Sequence, residues 1–229
     1  MTTKHALALV AVTCATVALA AIYRQWHLAW GATKAEARGV MPGDDILGRS
    51  HFTATRAITI GAPPAAVWPW LVQVGFNRAG FYSYDLLDNL GRPSAERVLP
   101  EFQEVAVGDL AAPMASPPNE KNSFIVASLE QPHRLVWSKP DSTWSWLLTQ
   151  QADGGTRLVT RLKSRYDANA FLPATVLLME VGDFPMMRRM LLGLRSRAKR
   201  VSRGARATSP QQPTQHEWAP WGSNPRPAD

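Results

Sequence analysis

The middle of the chain alternates short strand-like segments with turns, and one long amphipathic segment follows them. The strand-like segments are rich in β-branched and aromatic residues, and turns that contain proline, asparagine or glycine separate them. Consecutive strands joined by short turns predict an antiparallel meander. The predicted strands are residues 104–110, 123–129, 133–138, 143–150 and 156–166.

The long segment is predicted to be a helix that begins near Phe171 and runs to Val201. Apolar residues recur there at spacings of three and four, which gives the helix one apolar face, while arginine and lysine cover the others. The apolar residues are Phe184, Met187, Leu191, Leu194, Ala198 and Val201. A helix with such a face must pack against another element.

A further strand and two short helices precede the meander. Residues 52–60 alternate as a strand, two prolines open a helix that ends at Gly75, and a short amphipathic helix follows over residues 85–90. This order predicts an α+β domain in which a curved antiparallel sheet wraps around the C-terminal helix. Such a sheet encloses a space with an aromatic wall. The aromatic residues on the predicted strands are Phe124, Trp137, Trp144 and Trp146.

The chain begins with an apolar segment. Residues 6–23 carry no charge, and as a helix of about 1.5 Å per residue they extend roughly 27 Å, just short of the hydrocarbon thickness of a bilayer. Arg24 follows, and Trp26 and Trp30 lie where an interfacial aromatic belt would sit. A single-pass membrane anchor is one interpretation. A signal peptide cleaved at the small residues near 18–20, which would give a secreted protein, is a second interpretation, and a soluble extension is a third.

The positive charge is confined to one segment. The 229 residues carry a formal charge of +7, yet residues 1–183 are neutral and residues 184–206 hold eight arginines and lysines without an acid. Nucleic-acid binding is not expected, because the apolar face of this basic helix is committed to packing. A simply solvated basic face is expected, and contact of Arg188 to Arg206 with anionic lipid, which adds up to about 1 kcal/mol per residue near a membrane, is the alternative.

The remaining composition excludes several kinds of site. Cys14 is the only cysteine and the five histidines are scattered singly, which excludes a disulfide framework and a structural zinc site. No dinucleotide, Walker, nucleophile-elbow or metalloprotease motif occurs. We therefore expect no cofactor and assign no catalytic or metal-binding residue.

Four stretches of the chain carry a family resemblance. They are ITIGAPPAAVWPWLVQVG at residues 58–75, AGFYSYDLLDNL at 79–90, LEQPHRLVW at 129–137 and DFPMMRRMLLGLRSRAKR at 183–200. They resemble the START-like, helix-grip proteins grouped with polyketide cyclases and dehydrases, also called SRPBCC proteins, and in particular an uncharacterised bacterial branch. The resemblance covers roughly residues 50–202. It implies a hydrophobic cavity between sheet and C-terminal helix, used across the superfamily for lipids, polyketides and other apolar ligands and only occasionally for catalysis.

The candidate ligand-binding residues fall into two groups. One surrounds the loop between the two short helices, which in helix-grip proteins lies beside the cavity mouth, and consists of Trp68, Gln73, Arg78, Tyr82, Tyr84 and Asp85. The other belongs to the predicted wall and consists of Trp137, Trp144, Trp146 and Met187. Polar groups can orient one end of a ligand, and aromatic and methionine side chains form an adaptable apolar wall. Ordinary core packing and capping are the alternative roles.

Two arginines on predicted strands raise a separate question. Arg56 lies on the first strand and Arg161 on the last. A buried guanidinium needs an anionic partner, and a ligand carboxylate or phosphate is one candidate. The alternative is that both side chains point to solvent across the sheet.

The expected function is the membrane-tethered binding of a hydrophobic small molecule or lipid. A cyclase- or dehydrase-type enzyme that uses Tyr82, Tyr84 and Asp85 for proton transfer is the alternative, and a non-catalytic structural or chaperone-like partner is a third. The predicted division is a membrane anchor or signal segment over residues 1–30, a linker over 31–50, the domain over 51–203 and a disordered tail over 204–229.

Overall fold

Six antiparallel strands form one sheet in the computed structural model, which describes residues 3–166 and 171–208. The sheet order is β1-β6-β5-β4-β3-β2, so the last five strands form a meander and the first strand pairs with the last. The bounds are Phe52–Ile60 for β1, Leu110–Ala111 for β2, Phe124–Glu130 for β3, Arg134–Lys139 for β4, Ser142–Gln150 for β5 and Thr156–Ser164 for β6. The predicted α+β class and helix-grip architecture are confirmed.

The helices surround this sheet. They are α1 Thr3–Leu28, α2 Lys34–Arg38, α3 Asp44–Leu47, α4 Pro64–Val72, α5 Asp85–Asp88, α6 Leu172–Leu177 and α7 Asp183–Thr208, with a 3-10 turn at Pro100–Phe102. A π-helical turn, Leu178–Gly182, joins α6 to α7. The predicted long C-terminal element is therefore a helix with one irregular turn, and it extends to Thr208. The part of the predicted tail at residues 209–229 lies outside the described residues.

The apolar face of α7 packs on the sheet as its spacing predicts. Phe184, Met187, Leu191, Leu194 and Ala198 are all buried. All of them except Phe184 belong to the main core, which also contains the fully buried Trp70, Trp137 and Trp146. Burying one such side chain stabilises the fold by about 1.5–3 kcal/mol, so this face fixes α7 across the sheet.

The segment predicted as a linker covers the outer face of the sheet. Arg161 is buried, and its Nη1 donates to Asp44 Oδ2 at 2.5 Å. Arg157 pairs with Glu36 at 2.8 Å, and Met41 packs in a small apolar cluster on the same face. The partner of the Arg161 guanidinium is therefore a carboxylate of the chain's own residues 31–50.

The second strand is shorter than its sequence suggests. The sequence pattern predicts an extended segment over residues 104–110, but β2 contains only Leu110 and Ala111. The Asp109 carboxylate accepts a hydrogen bond from the Ala106 amide at 2.8 Å, and Gly108 has φ +97°. This side-chain-to-backbone bond closes a turn where the apolar alternation alone predicts a strand.

The N-terminal helix is joined to the domain at its C-terminal end. Leu9–Leu28 has a mean hydropathy of 1.4 and is long and apolar enough to cross a membrane, by length and composition. Arg24 forms two hydrogen bonds of 2.7 Å with the Glu180 carboxylate. The ring of Trp26 lies edge-on to Phe184, with 5.1 Å between centroids. These contacts fix the direction in which α1 leaves the domain.

Candidate functional site

A cavity of about 420 Å³ lies between the sheet and the N-terminal half of α7. The π-helical turn and α6 border it on one side, and the loop before α5 borders it on another. The lining residues are Phe81, Ser83, Asp88, Met114, Phe124, Lys139, Asp141, Ser142, Trp144, Leu162, Ser164, Thr175, Leu178, Met179, Asp183, Met186, Met187 and Met190. All the strand residues among them lie toward the same end of the sheet, where the β4–β5 turn is located.

The two main walls of the cavity differ in stiffness. On the sheet side, Trp144 packs against Phe124 with 5.8 Å between ring centroids, and its Nε1 donates to the Thr160 hydroxyl at 3.0 Å. On the helix side, Met187 and Met190 present flexible thioether side chains. A rigid aromatic wall opposite an adaptable methionine wall suits apolar ligands of variable shape.

A few polar groups border this apolar space. Both carboxylate oxygens of Asp88 are buried, and the Ser83 hydroxyl on the facing loop donates to the Met186 carbonyl at 3.0 Å. Burial raises the pKa of Asp88. At the cavity wall, Lys139 Nζ lies 3.8 Å from Asp141 Oδ1. Among the described residues, no cluster of three or more histidine, cysteine, aspartate or glutamate side chains could hold a metal ion.

A buried ion pair forms part of the wall next to α1. Arg56 is 1% exposed, and its Nη1 donates to Asp183 Oδ2 at 2.5 Å. Its Nε donates to the His27 carbonyl at 3.0 Å, and its Nη2 has no hydrogen-bond partner among the described residues. Burial raises the pKa of Asp183, and the charge of Arg56 opposes this shift. The partner of Arg56 is thus a carboxylate on α7 that itself borders the cavity.

Gln73 and Tyr82 are bound to each other beneath the loop. The Gln73 side-chain amide donates to the Tyr82 hydroxyl at 2.8 Å, and that hydroxyl donates to the Trp70 carbonyl at 3.0 Å. The Gln73 side-chain carbonyl accepts from the Leu99 amide at 2.8 Å. Burial raises the pKa of Tyr82 far above its ordinary value. These groups are committed to internal bonds that hold the loop on α4.

Arg78, Tyr84 and Asp85 also have partners within the protein. Arg78 donates to the Val72 carbonyl at 3.1 Å, and Asp85 accepts from both the amide and the hydroxyl of Ser94. Tyr84 is 41% exposed and faces the guanidinium of an α7 arginine. None of these three residues lines the 420 Å³ cavity.

Two of the ten predicted residues line the main cavity, namely Trp144 and Met187. Trp68, Trp137 and Trp146 are buried in the core, and the last two pack behind Trp144. Ligand contact by all ten residues stays a prediction. The other lining residues were not among the ten candidates. The methionines of α7 were the available signal for the helix wall, because their helical spacing places them on neighbouring faces of one helix.

A second pocket, of about 400 Å³, lies on the other side of the loop. Its lining is mostly polar and contains Tyr82, Ser83, Asp85, Ser94, Glu96, Arg189, Leu192, Gly193, Ser196 and Arg197. Arg197 donates to the Ala95 carbonyl at 2.8 Å and pairs with Glu96 at 2.6 Å. The charges of Arg197 and Glu96 therefore neutralise each other, and the apolar cavity remains the better candidate for a ligand site.

Comparisons with known proteins give only distant similarity. No protein-family model matches the chain, and no curated protein matches it. Protein NE0264 from Nitrosomonas europaea is 18% identical, with 65% of this chain and 95% of that chain covered and a TM-score of 0.41. Protein BH1534 from Bacillus halodurans is 15% identical, with 65% of this chain and 98% of that chain covered and a TM-score of 0.41. An AHSA1-like protein from Aeromonas hydrophila is 16% identical, with 66% of this chain and 94% of that chain covered and a TM-score of 0.38. At these values the fold assignment depends on the topology described above.

Proposed function

We propose that this protein binds an apolar small molecule or lipid in the cavity between sheet and α7, while α1 tethers it to a membrane. The observation that carries the proposal is the 420 Å³ cavity with its aromatic and methionine walls. Its volume falls in the range of about 300–1,000 Å³ typical of small-molecule sites. The few polar groups at its border, Asp88 among them, would set the orientation of a ligand that has one polar end.

The geometry gives less support to the enzyme alternative. Proton transfer requires groups within hydrogen-bond reach of a bound substrate. The Tyr82 hydroxyl is instead buried between Gln73 and the Trp70 carbonyl, and the Asp85 carboxylate is bound to Ser94. We therefore retain ligand binding as the proposed function.

The test is native mass spectrometry of the purified full chain, followed by extraction and identification of any bound molecule. We expect an apolar molecule to co-purify with the protein. Met187→Trp fills the cavity from α7 and should remove that molecule, at an overpacking cost of about 1–3 kcal/mol. Val201→Trp is the matched control, because this residue lies on the same helix, is 46% exposed and does not line the cavity.

Two outcomes would count against ligand binding. A wild-type protein that is empty after gentle purification, and that takes up no fatty acid or isoprenoid from solution, would not be a binding protein. Equal ligand content in the Met187→Trp and Val201→Trp variants would place the ligand elsewhere.

The tether is tested separately. We expect the full chain to remain with membranes after washing with alkaline carbonate, and a chain that lacks residues 1–22 to be released. A full chain that is recovered from the wash would contradict the tether. Contact between the basic segment and anionic lipid also remains a proposal.

A further inference from the structure

We propose that the mouth of the cavity faces the bilayer that α1 spans, and that the apolar rim of the mouth inserts into the surface of that bilayer. This inference rests on the proposed function for its membrane anchor. It adds a route by which an apolar ligand passes between the lipid phase and the cavity without crossing water.

The rim is the first observation. Leu86 and Leu87 on α5 are 77% and 69% exposed. Leu177 at the end of α6 and Leu178 at the start of the π-helical turn are 64% and 57% exposed. The α5 helix borders the cavity through Asp88, α6 borders it through Thr175, and the π-helical turn borders it through Leu178 and Met179. Exposed apolar side chains concentrated around one opening mark a surface that contacts a membrane or a partner.

The path of α1 is the second observation. Near the C-terminal end of α1, the His27 carbonyl accepts a hydrogen bond from Arg56 in the middle of β1. About one turn earlier in α1, Arg24 forms an ion pair with Glu180. Glu180 belongs to the π-helical turn that borders the cavity. Going back toward its N-terminus, α1 therefore leaves the domain at the end of the sheet that carries the mouth.

The length of the apolar segment is the third observation. Residues 6–23 extend roughly 27 Å as a helix, against about 30 Å for the hydrocarbon core of a bilayer. Arg24 follows directly, so it lies at the lipid–water boundary and leaves no spacer between the span and the domain. Because Glu180 is bound to Arg24, Leu177 and Leu178 lie within about one helical turn, roughly 5 Å, of the same boundary.

These three observations select the bilayer as the occupant of the rim. A second copy or a soluble partner would also cover apolar side chains, but neither accounts for the position of the rim at the point where the span ends. Apolar side chains at a membrane surface lie roughly 5–10 Å deep, which is within reach of the rim in this orientation.

The test uses the full chain with Cys14→Ser, reconstituted into vesicles of phosphatidylcholine with a nitroxide-labelled lipid. Single variants Leu87→Cys and Leu177→Cys carry an environment-sensitive fluorophore, and neither residue lines the cavity. Ala152→Cys is the matched control, since it is exposed and lies in the β5–β6 turn at the opposite end of the sheet. We expect the nitroxide lipid to quench both rim labels at least about twofold more than the control label, because the rim lies in the bilayer surface.

Equal quenching at all three positions overturns the inference. Rim labels that are protected from aqueous iodide but not quenched by nitroxide lipid overturn it as well, because a protein then covers the rim. The ligand content of the same vesicles is measured in parallel. A loaded cavity with unquenched rim labels refutes the orientation and leaves ligand binding intact, whereas quenched labels with an empty cavity support the orientation and refute ligand binding.

Discussion

The substitution Arg56→Met tests the buried ion pair that joins β1 to the start of α7. The Arg56 side chain is 1% exposed and donates to Asp183 at 2.5 Å and to the His27 carbonyl at 3.0 Å. Methionine keeps an unbranched apolar stem but removes both bonds, which leaves the Asp183 carboxylate buried and unpaired. Removing one partner of such a pair typically costs about 3–5 kcal/mol.

The loss of stability is measured by thermal unfolding of the full chain in mild detergent, with circular dichroism as the signal. In a chain of this size each kcal/mol lowers the melting temperature by about 2–4 °C, so we expect a fall of roughly 6–20 °C. The fall should be smaller in acid. Burial raises the pKa of Asp183, and without Arg56 nothing opposes this, so the folded state keeps a proton that the unfolded state releases. Stability is then retained below the ordinary aspartate pKa and lost as the pH rises.

Two further variants separate the ion pair from general disruption. Arg56→Met combined with Asp183→Leu removes both charges, and apolar replacements of buried pairs are often neutral, so most of the melting temperature should return. Arg161→Met removes the matching 2.5 Å pair with Asp44 on the outer face and should leave the ligand content unchanged. A fall of less than about 2 °C for Arg56→Met, or no recovery in the double variant, would refute the reasoning.

Three other substitutions address separate contacts. Gly193→Ala places a Cβ 2.5 Å from the Tyr82 carbonyl oxygen, so overpacking should cost about 1–3 kcal/mol in thermal unfolding. The hydrogen bond from Arg157 lowers the pKa of Glu36 to about 2. The stability that this pair contributes is therefore present above the ordinary glutamate pKa and is lost as the pH falls toward 2. Glu36→Gln should flatten that part of the pH–stability curve. Burial raises the pKa of Asp88, so Asp88→Asn should raise the melting temperature at neutral pH but not in acid.

Each of these three substitutions has a control within the chain. Ser196→Ala, on an exposed position of the same helix as Gly193, should leave the melting temperature unchanged, and an equal loss would point away from the close contact. Arg157→Gln should flatten the acid limb as Glu36→Gln does, and an unchanged slope in either would contradict the assigned pair. Asp85→Asn should lower the melting temperature, in contrast to Asp88→Asn, because Asp85 is hydrogen-bonded to Ser94.

The architecture was predictable because local patterns determine it. Trp144 and Trp146 alternate along a strand, and the structure places them on one face with 5.0 Å between ring centroids. Spacings of three and four on α7 likewise identify the residues that pack on the sheet, with Val201 as the exposed exception near its end. Periodicity reports which side chains share a face, and packing of those faces fixes the layers.

The partners of the polar residues were not predictable, because they are distant in sequence. Glu36 and Arg157 meet across the outer face, and Asp183 reaches Arg56 from the far end of the chain. No local pattern records such pairs. The same limit applies to Tyr82, whose hydroxyl looked available for a ligand and is instead bound by Gln73. Sequence composition shows which polar groups exist, whereas the tertiary fold decides which of them are satisfied internally.

The position of the positive charge constrains how the domain meets a membrane. Asp183 borders the cavity, and Lys199 lies beside Gly61 at the other end of β1, roughly 24 Å farther along α7. A surface potential decays within about 8 Å at physiological salt, so a bilayer at the cavity mouth would scarcely attract the basic residues near Lys199. Arg188 and Arg189, which lie over the Trp30 and Tyr84 rings, are the first members of the basic segment along α7 and the nearest to that bilayer. Binding that depends on anionic lipid through Arg195 and Lys199, and not through Arg188 or Arg189, would therefore require the domain to lie on its side.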